Sequence, residues 1–247
     1  MPLLGFGTGC FYKNLEPVSK KAIALVRNTG CNAIELCAGR RERLDYLKTI
    51  PEEDLSSFSY VSLHAPDDVV YADDEQTRTV LDSIVTSHER LNFELVVFHP
   101  SKVQDKSVFK EYALPIAFEN VDKGFGQTPE EMGEFFSELD ARMVLDVLHA
   151  HLVDPSNRIA GQFCSRFKDR ICQVHLSGHQ QHGKDQQQHY PLSETKQLEL
   201  LVAVPPNLPV IIESVFPEYS GNDLDAWIKR QLKEEYDYVK NNLAGSA

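Results

Sequence analysis

Short apolar runs alternate with amphipathic stretches along the whole chain, the pattern of a parallel α/β protein. The apolar runs fall at residues 3–7, 33–37, 60–64, 95–99, 115–119, 143–146, 171–175 and 210–213. Between them, amphipathic segments predict helices over 17–28, 73–90, 128–139, 154–167 and 222–239. Val80, Leu81, Ile84 and Val85 supply the apolar positions of the second of these. The third carries its own start signal, with Thr128 as N-cap, Pro129 at the first helical position and Glu131 three residues after the cap. Asp154 and Pro155 repeat that opening for the fourth. Residues 102–113 leave room for only a short helix, while 66–73 and the Gln- and His-rich 177–190 read as loops. Eight strands alternating with helices predict an α/β fold, a (β/α)8 TIM barrel, and 247 residues is the usual size of one. No repeat, Gly/Ser linker or composition shift divides the chain, so a single domain over 1–247 is expected.

The residues that end these runs carry the chemistry. The third run stops at His64, the fourth at His99 and the fifth at Glu119. The sixth stops at Asp146, with His149 three residues on; the seventh stops at His175 and the eighth at Glu213. One histidine or aspartate after a strand is usually a loop cap or a satisfied core group. Six consecutive strands ending this way are not explained so. A parallel barrel collects all those ends at one mouth, the face that hosts active sites in this architecture. Carboxylates crowded there repel each other and suffer desolvation unless positive charge sits among them. Imidazole and carboxylate are good ligands for zinc, manganese or iron, so the pattern points to divalent metal ions.

Composition narrows the picture. The net charge of −12 argues against nucleic acid, because a phosphate backbone is normally met by a basic surface. No apolar stretch approaches the roughly 20 residues of a membrane span. The opening MPLLGFGTG has no basic segment ahead of its apolar run, so no secretory signal and a cytoplasmic location are expected. Five cysteines, with no CxxC pair, suggest reduced, buried thiols rather than disulfides or a thiolate zinc site. Arg40, Arg41 and Arg43 form a basic cluster read as a solvated first turn rather than a phosphate clamp. His88, inside a helical pattern, is expected to be exposed, and His151 to serve packing.

With those ends in place the chain resembles the endonuclease IV-like and xylose isomerase-like barrels. FHPSK at 98–102, FEN and GFG within 118–126, LDVLHAH at 145–151, VHLSG at 174–178, QHYPL at 188–192 and IIES at 211–214 carry the resemblance in this order. Its sugar isomerase and epimerase branch implies one metal held by Glu119, Asp146, His175 and Glu213. The two glutamates there also move protons, and His149 faces the substrate. Its endonuclease IV branch implies that His64 and His99 hold a further metal, bridged by Glu119, and that His149, an aspartate and His189 hold a third. The aspartate is replaced here by Gln187, with Asp185 two residues before it, so the third site departs from the pattern.

The resemblance implies a metal-dependent enzyme with two or three divalent ions, zinc foremost, or manganese or magnesium in an isomerase. Two activities fit, both on a small-molecule substrate. One is hydrolysis of a phosphate ester or similar small anion, with Glu119, Glu213 and His149 as catalytic residues. The other is aldose–ketose isomerisation or epimerisation at one metal, in which His64 and His99 have no work. A non-catalytic barrel is the third class.

Overall fold

The computed structural model describes residues 3–182 and 185–243, and the side chains of these except at 181, 182 and 185–188. Eight parallel strands close a barrel. They are β1 (Leu4–Gly7), β2 (Ala33–Cys37), β3 (Tyr60–His64), β4 (Leu95–Phe98), β5 (Ile116–Glu119), β6 (Arg142–Asp146), β7 (Ile171–Leu176) and, after a hairpin, β10 (Val210–Ile212). The order around the barrel is β1-β2-β3-β4-β5-β6-β7-β10, with β10 returning to β1. Every expected strand forms, within a residue or two of its expected ends.

The outer layer contains α1 (Lys20–Arg27), α2 (Leu44–Leu47), α3 (Glu75–Leu91), α4 (Pro129–Glu138), α5 (Val147–Val153), α6 (Arg158–Arg166), α7 (Leu192–Thr195), α8 (Leu198–Val202) and α9 (Leu224–Leu243). The start signal of α4 operates as read. Thr128 accepts from the Glu131 amide at 3.3 Å, and the Glu131 carboxylate accepts from the amides of Gly126, Gln127 and Thr128. Two expectations fail. Asp154 and Pro155 do not open a helix: the Asp154 carboxylate turns onto Ser156 at 2.6 Å, and α6 begins only at Arg158, after a left-handed Asn157. Residues 177–190 are not merely a loop. β8 (Gly178–His182) pairs antiparallel with β9 (Asp185–Tyr190), Gly178 opposite Tyr190 and His182 opposite Asp185. The short 102–113 connection holds tight helix at Lys106–Glu111, after another short turn of it at Pro100–Lys102.

The main apolar core lies between barrel and helices, not inside the barrel. Its densest part joins Phe98, Phe109, Phe118 and Phe135, with ring centroids 4.6–5.9 Å apart. Strand residues alternate between faces, so Phe118 points to the helices while its neighbour Glu119 points inward. Removing the Phe118 ring is expected to cost about 3–5 kcal/mol. Denaturant unfolding of Phe118→Ala checks this, and an unchanged midpoint would contradict the packing described. Inside the barrel, small apolar clusters (Ala33, Tyr60 and Ile211; Leu95, Val97, Ala117 and Val144) form a separate filling. Alongside them lie three fully buried polar residues, Glu35, Ser62 and Gln173. Gly5 lets β1 approach β2, since a Cβ there would collide with the backbone of Ala33.

Candidate metal centre

Strand ends deliver the polar side chains to one mouth. His64 and Glu119 are the last residues of β3 and β5, and His99 and Glu213 directly follow β4 and β10. Asp146 ends β6 and caps α5, its carboxylate accepting from the His149 amide at 2.7 Å. The register sets Asp146 opposite His175 across β6 and β7, so the two share a level of the barrel. Asn120, fully buried, clamps the Asp146 backbone through two hydrogen bonds of 2.8 and 2.9 Å.

Two groups of ligand-type atoms result, each within 4.8 Å of one another: Glu119, Asp146, His175 and Glu213, and His64, Asp67 and His99. Glu119 stands between them. Its Oε2 lies 3.1 Å from His175 Nδ1, 3.3 Å from His64 Nε2 and 3.4 Å from His99 Nε2. Asp67 was not foreseen. It sits in the loop after β3, which Tyr71 ties down by a bridge to Val103 and a 2.9 Å hydroxyl bond to the Pro66 carbonyl. The Asp67 carboxylate approaches His99 Nδ1 at 3.1 Å. Its only sequence signal is an aspartate three residues beyond His64.

His149 and His189 join neither group. His149 Nδ1 meets the Asn120 carbonyl at 3.0 Å, and Glu119 and Asp146 flank the ring at 3.4 and 3.6 Å. His189, in a left-handed backbone position, places its ring edge-on to His149 at 5.5 Å and its Nδ1 3.1 Å from Ser177 Oγ. The side chains of Gln187 and Asp185, the remaining candidates for a third site, lie outside the described residues.

The electrostatics are those of surplus negative charge sharing too few protons. Burial drives the Glu213 carboxyl up to about 8 against the pull of His175, with Glu119 and Asp146 adding to the rise. Burial likewise raises Asp146 to about 6, opposed by His149. Glu119 overcomes its burial, because His175, His149 and His64 hold its carboxyl well below the usual range. The imidazoles answer in kind. Against burial, Asp146 and Glu119 lift His149 to about 10, and neighbouring carboxylates lift His64 and His175 well above normal. His189 goes the other way, lowered to about 3 by burial and the neighbouring His149 charge. The residues fit a dication: buried Glu119 Oε2, Asp146 Oδ2 and His175 Nδ1 face this centre with no well-formed hydrogen bond. A cation would replace the protons that now offset the crowding.

The mouth opens into a cavity of about 220 Å³. His64, Asp67, His99, Glu119, His149, His189 and Glu213 line it together with Gly9, Cys10, Tyr12, Cys37 and Val215, whereas Asp146 and His175 are fully buried and do not. No Lys or Arg lines it among the described residues. Arg40 and Arg41 are exposed, and Arg43 folds onto Glu16 at 3.0 Å, so the basic cluster does not reach the mouth. A larger groove of about 970 Å³ contains Leu114, Pro115, Asp140 and Arg170, near the opposite strand ends, and none of the candidate residues. His151 bonds Asn157 at 2.8 Å and packs on His179. His88 is half-buried against Phe93, not exposed as expected.

No protein-family model matches the sequence, and no curated protein does either. Solved structures do match in shape. An IolI protein with a bound zinc atom superposes with a TM-score of 0.69 at 17% identity, over 100% of this chain and 99% of that one. D-psicose 3-epimerase from Clostridium cellulolyticum gives 0.64 at 14% identity, over 98% and 99%. Endonuclease IV from Thermus thermophilus gives 0.61 at 17% identity, over 96% and 100%. Closed barrel, strand order and end-to-end superposition agree: this chain has the fold shared by the xylose isomerase-like and endonuclease IV-like barrels.

Proposed function

We propose that the protein is a metal-dependent hydrolase acting on a phosphate ester or a similarly small anionic substrate at a centre of two divalent ions. The observation that carries this reading is the position of Glu119, whose Oε2 faces His64 and His99 on one side and His175 on the other. A carboxylate shared between two ligand groups suits a pair of ions a few ångströms apart. Such a pair supplies Lewis acidity and an activated water for attack on a phosphoryl centre. Asp146, His175 and Glu213 would complete the inner group, and His64, Asp67 and His99 the outer one. The Asn120 carbonyl occupies His149 Nδ1 and leaves Nε2 as the nitrogen available to a leaving group. With no Lys or Arg lining the cavity among the described residues, the substrate's negative charge would be met chiefly by the ions. The cavity volume suits a small molecule.

A second reading is a one-ion isomerase or epimerase, with Glu119 and Glu213 exchanging protons between neighbouring carbons. The acidic net charge and a cavity wall without Lys or Arg among the described residues favour it, and a structure of an epimerase superposes about as well as that of a nuclease. Under it, His64, Asp67 and His99 have no task.

Elemental analysis of protein purified without added metal separates the two. Two or three zinc-class ions per chain are expected, together with turnover of p-nitrophenyl phosphate. A single manganese or magnesium ion and no ester cleavage would end the hydrolase reading.

A further inference from the structure

Each imidazole at the mouth has one nitrogen engaged by a neighbour. His64 Nδ1 meets the Ala65 carbonyl at 3.0 Å, His99 Nδ1 meets Asp67 at 3.1 Å, and His149 Nδ1 meets the Asn120 carbonyl at 3.0 Å. An imidazole binds a cation through a lone pair, so its other nitrogen must carry the proton and find an acceptor. His175 is reversed. Its Nδ1 faces Glu119 and Glu213, while its Nε2 points down into the barrel, away from any backbone acceptor the structure records.

What waits there is Glu35 of β2, a carboxylate with no exposed surface. Its Oε2 accepts from Ser62 Oγ at 2.8 Å and from the Gln173 amide at 2.7 Å. His175 Nε2 lies 3.2 Å from its Oε1 and 3.3 Å from its Oε2, with the hydrogen bond running to Oε2 and none formed by Oε1. Burying a carboxylate without a cationic or strong hydrogen-bond partner is expensive. Two neutral donors do not offset the carboxylate's charge, and the imidazole is the group of opposite sign that both of its oxygens face.

We infer that Glu35 is a positioning residue: it takes the Nε2 proton of His175 in a hydrogen bond and so presents Nδ1 to the metal between Glu119 and Glu213. Ser62 and Gln173 hold the carboxylate at the required angle. The three residues sit two positions before Cys37, His64 and His175 in their strands, one inward step below the mouth. The competing arrangement has His175 Nε2 accepting from Gln173, whose Nε2 is 2.7 Å away. That requires a proton on Nδ1, which would face the cation.

The inference rests on the metal reading of the site, and its test reports on each separately. In protein loaded with cadmium-113 and labelled with nitrogen-15 at histidine, His175 is expected to couple to the metal through Nδ1. It should also show a downfield, slowly exchanging Nε2 proton. That spectrum of the unaltered protein decides the arrangement without any substitution. Glu35→Gln, which keeps the shape, is expected to move that proton upfield, speed its exchange and lower zinc affinity about 10- to 100-fold. The double variant Glu35→Gln with Gln173→Glu returns a carboxylate to the same nitrogen and is expected to recover most of the affinity. Coupling through Nε2, or a Glu35→Gln protein binding zinc within twofold of normal, would overturn the role of Glu35 while leaving the metal site standing. Failure to take up zinc or cadmium at all would remove both.

Discussion

Glu119→Ala is expected to empty both ligand groups and to lower kcat/KM on the order of 10³-fold, a loss of about 4 kcal/mol of transition-state stabilisation. The Glu119 carboxylate joins the inner group to the outer one. Its Oε2 touches three imidazoles within 3.4 Å, and its Oε1 lies 3.4 Å from a fourth, His149. Without it, the groups lose the anion between them and His64, His149 and His175 lose the carboxylate that holds their charge. Glu119→Gln separates charge from shape. The amide keeps one oxygen at the same place but binds a dication less strongly than carboxylate does. Metal content per chain, measured beside kcat/KM, is the check. Retention of two ions and full turnover in Glu119→Ala would mean that the groups are independent and that the two-ion centre has been misread.

His99→Ala has the second largest expected effect and discriminates best between chemistries. His99 is half-buried at the rim, so its loss should leave the barrel intact by circular dichroism. The outer group would keep only His64 and Asp67, too few to hold an ion at ordinary concentrations. One ion per chain is then expected, with phosphate-ester cleavage down roughly 10²- to 10³-fold, the 2.7–4 kcal/mol scale of losing one transition-state contact. A one-ion isomerase would be nearly indifferent to the same change. Full ester cleavage by His99→Ala would dispose of the two-ion mechanism.

Much of this architecture could be read from the chain alone. The eight runs are continuous and apolar because their strands are buried on both faces, and such runs stand out without a partner in view. Helix starts were legible where the signal is local, as at Thr128 and Glu131, whose hydrogen bonds span three residues. The same logic misled at Asp154, because an Asp-Pro pair satisfies a turn as readily as a cap. The pairing of β8 with β9 was missed because these Gln- and His-rich strands show no alternation of apolar and polar positions. His88 was misjudged because its helical position did not reveal the Phe93 ring beside it.

Sequence alone determined the barrel and the type of group at each strand's end, since both follow from short-range order: burial of a run, then the residue that stops it. A parallel barrel turns those stops into one ring whatever the helices do. Tertiary structure alone decided who faces whom. It brought Asp67 onto His99 across two loops, set Glu119 between the two groups, and placed Glu35 under His175 from 140 residues away. Such pairings depend on strand register and side-chain direction around a closed sheet. Those are properties of the whole circuit of hydrogen bonds, and no local stretch of residues encodes them.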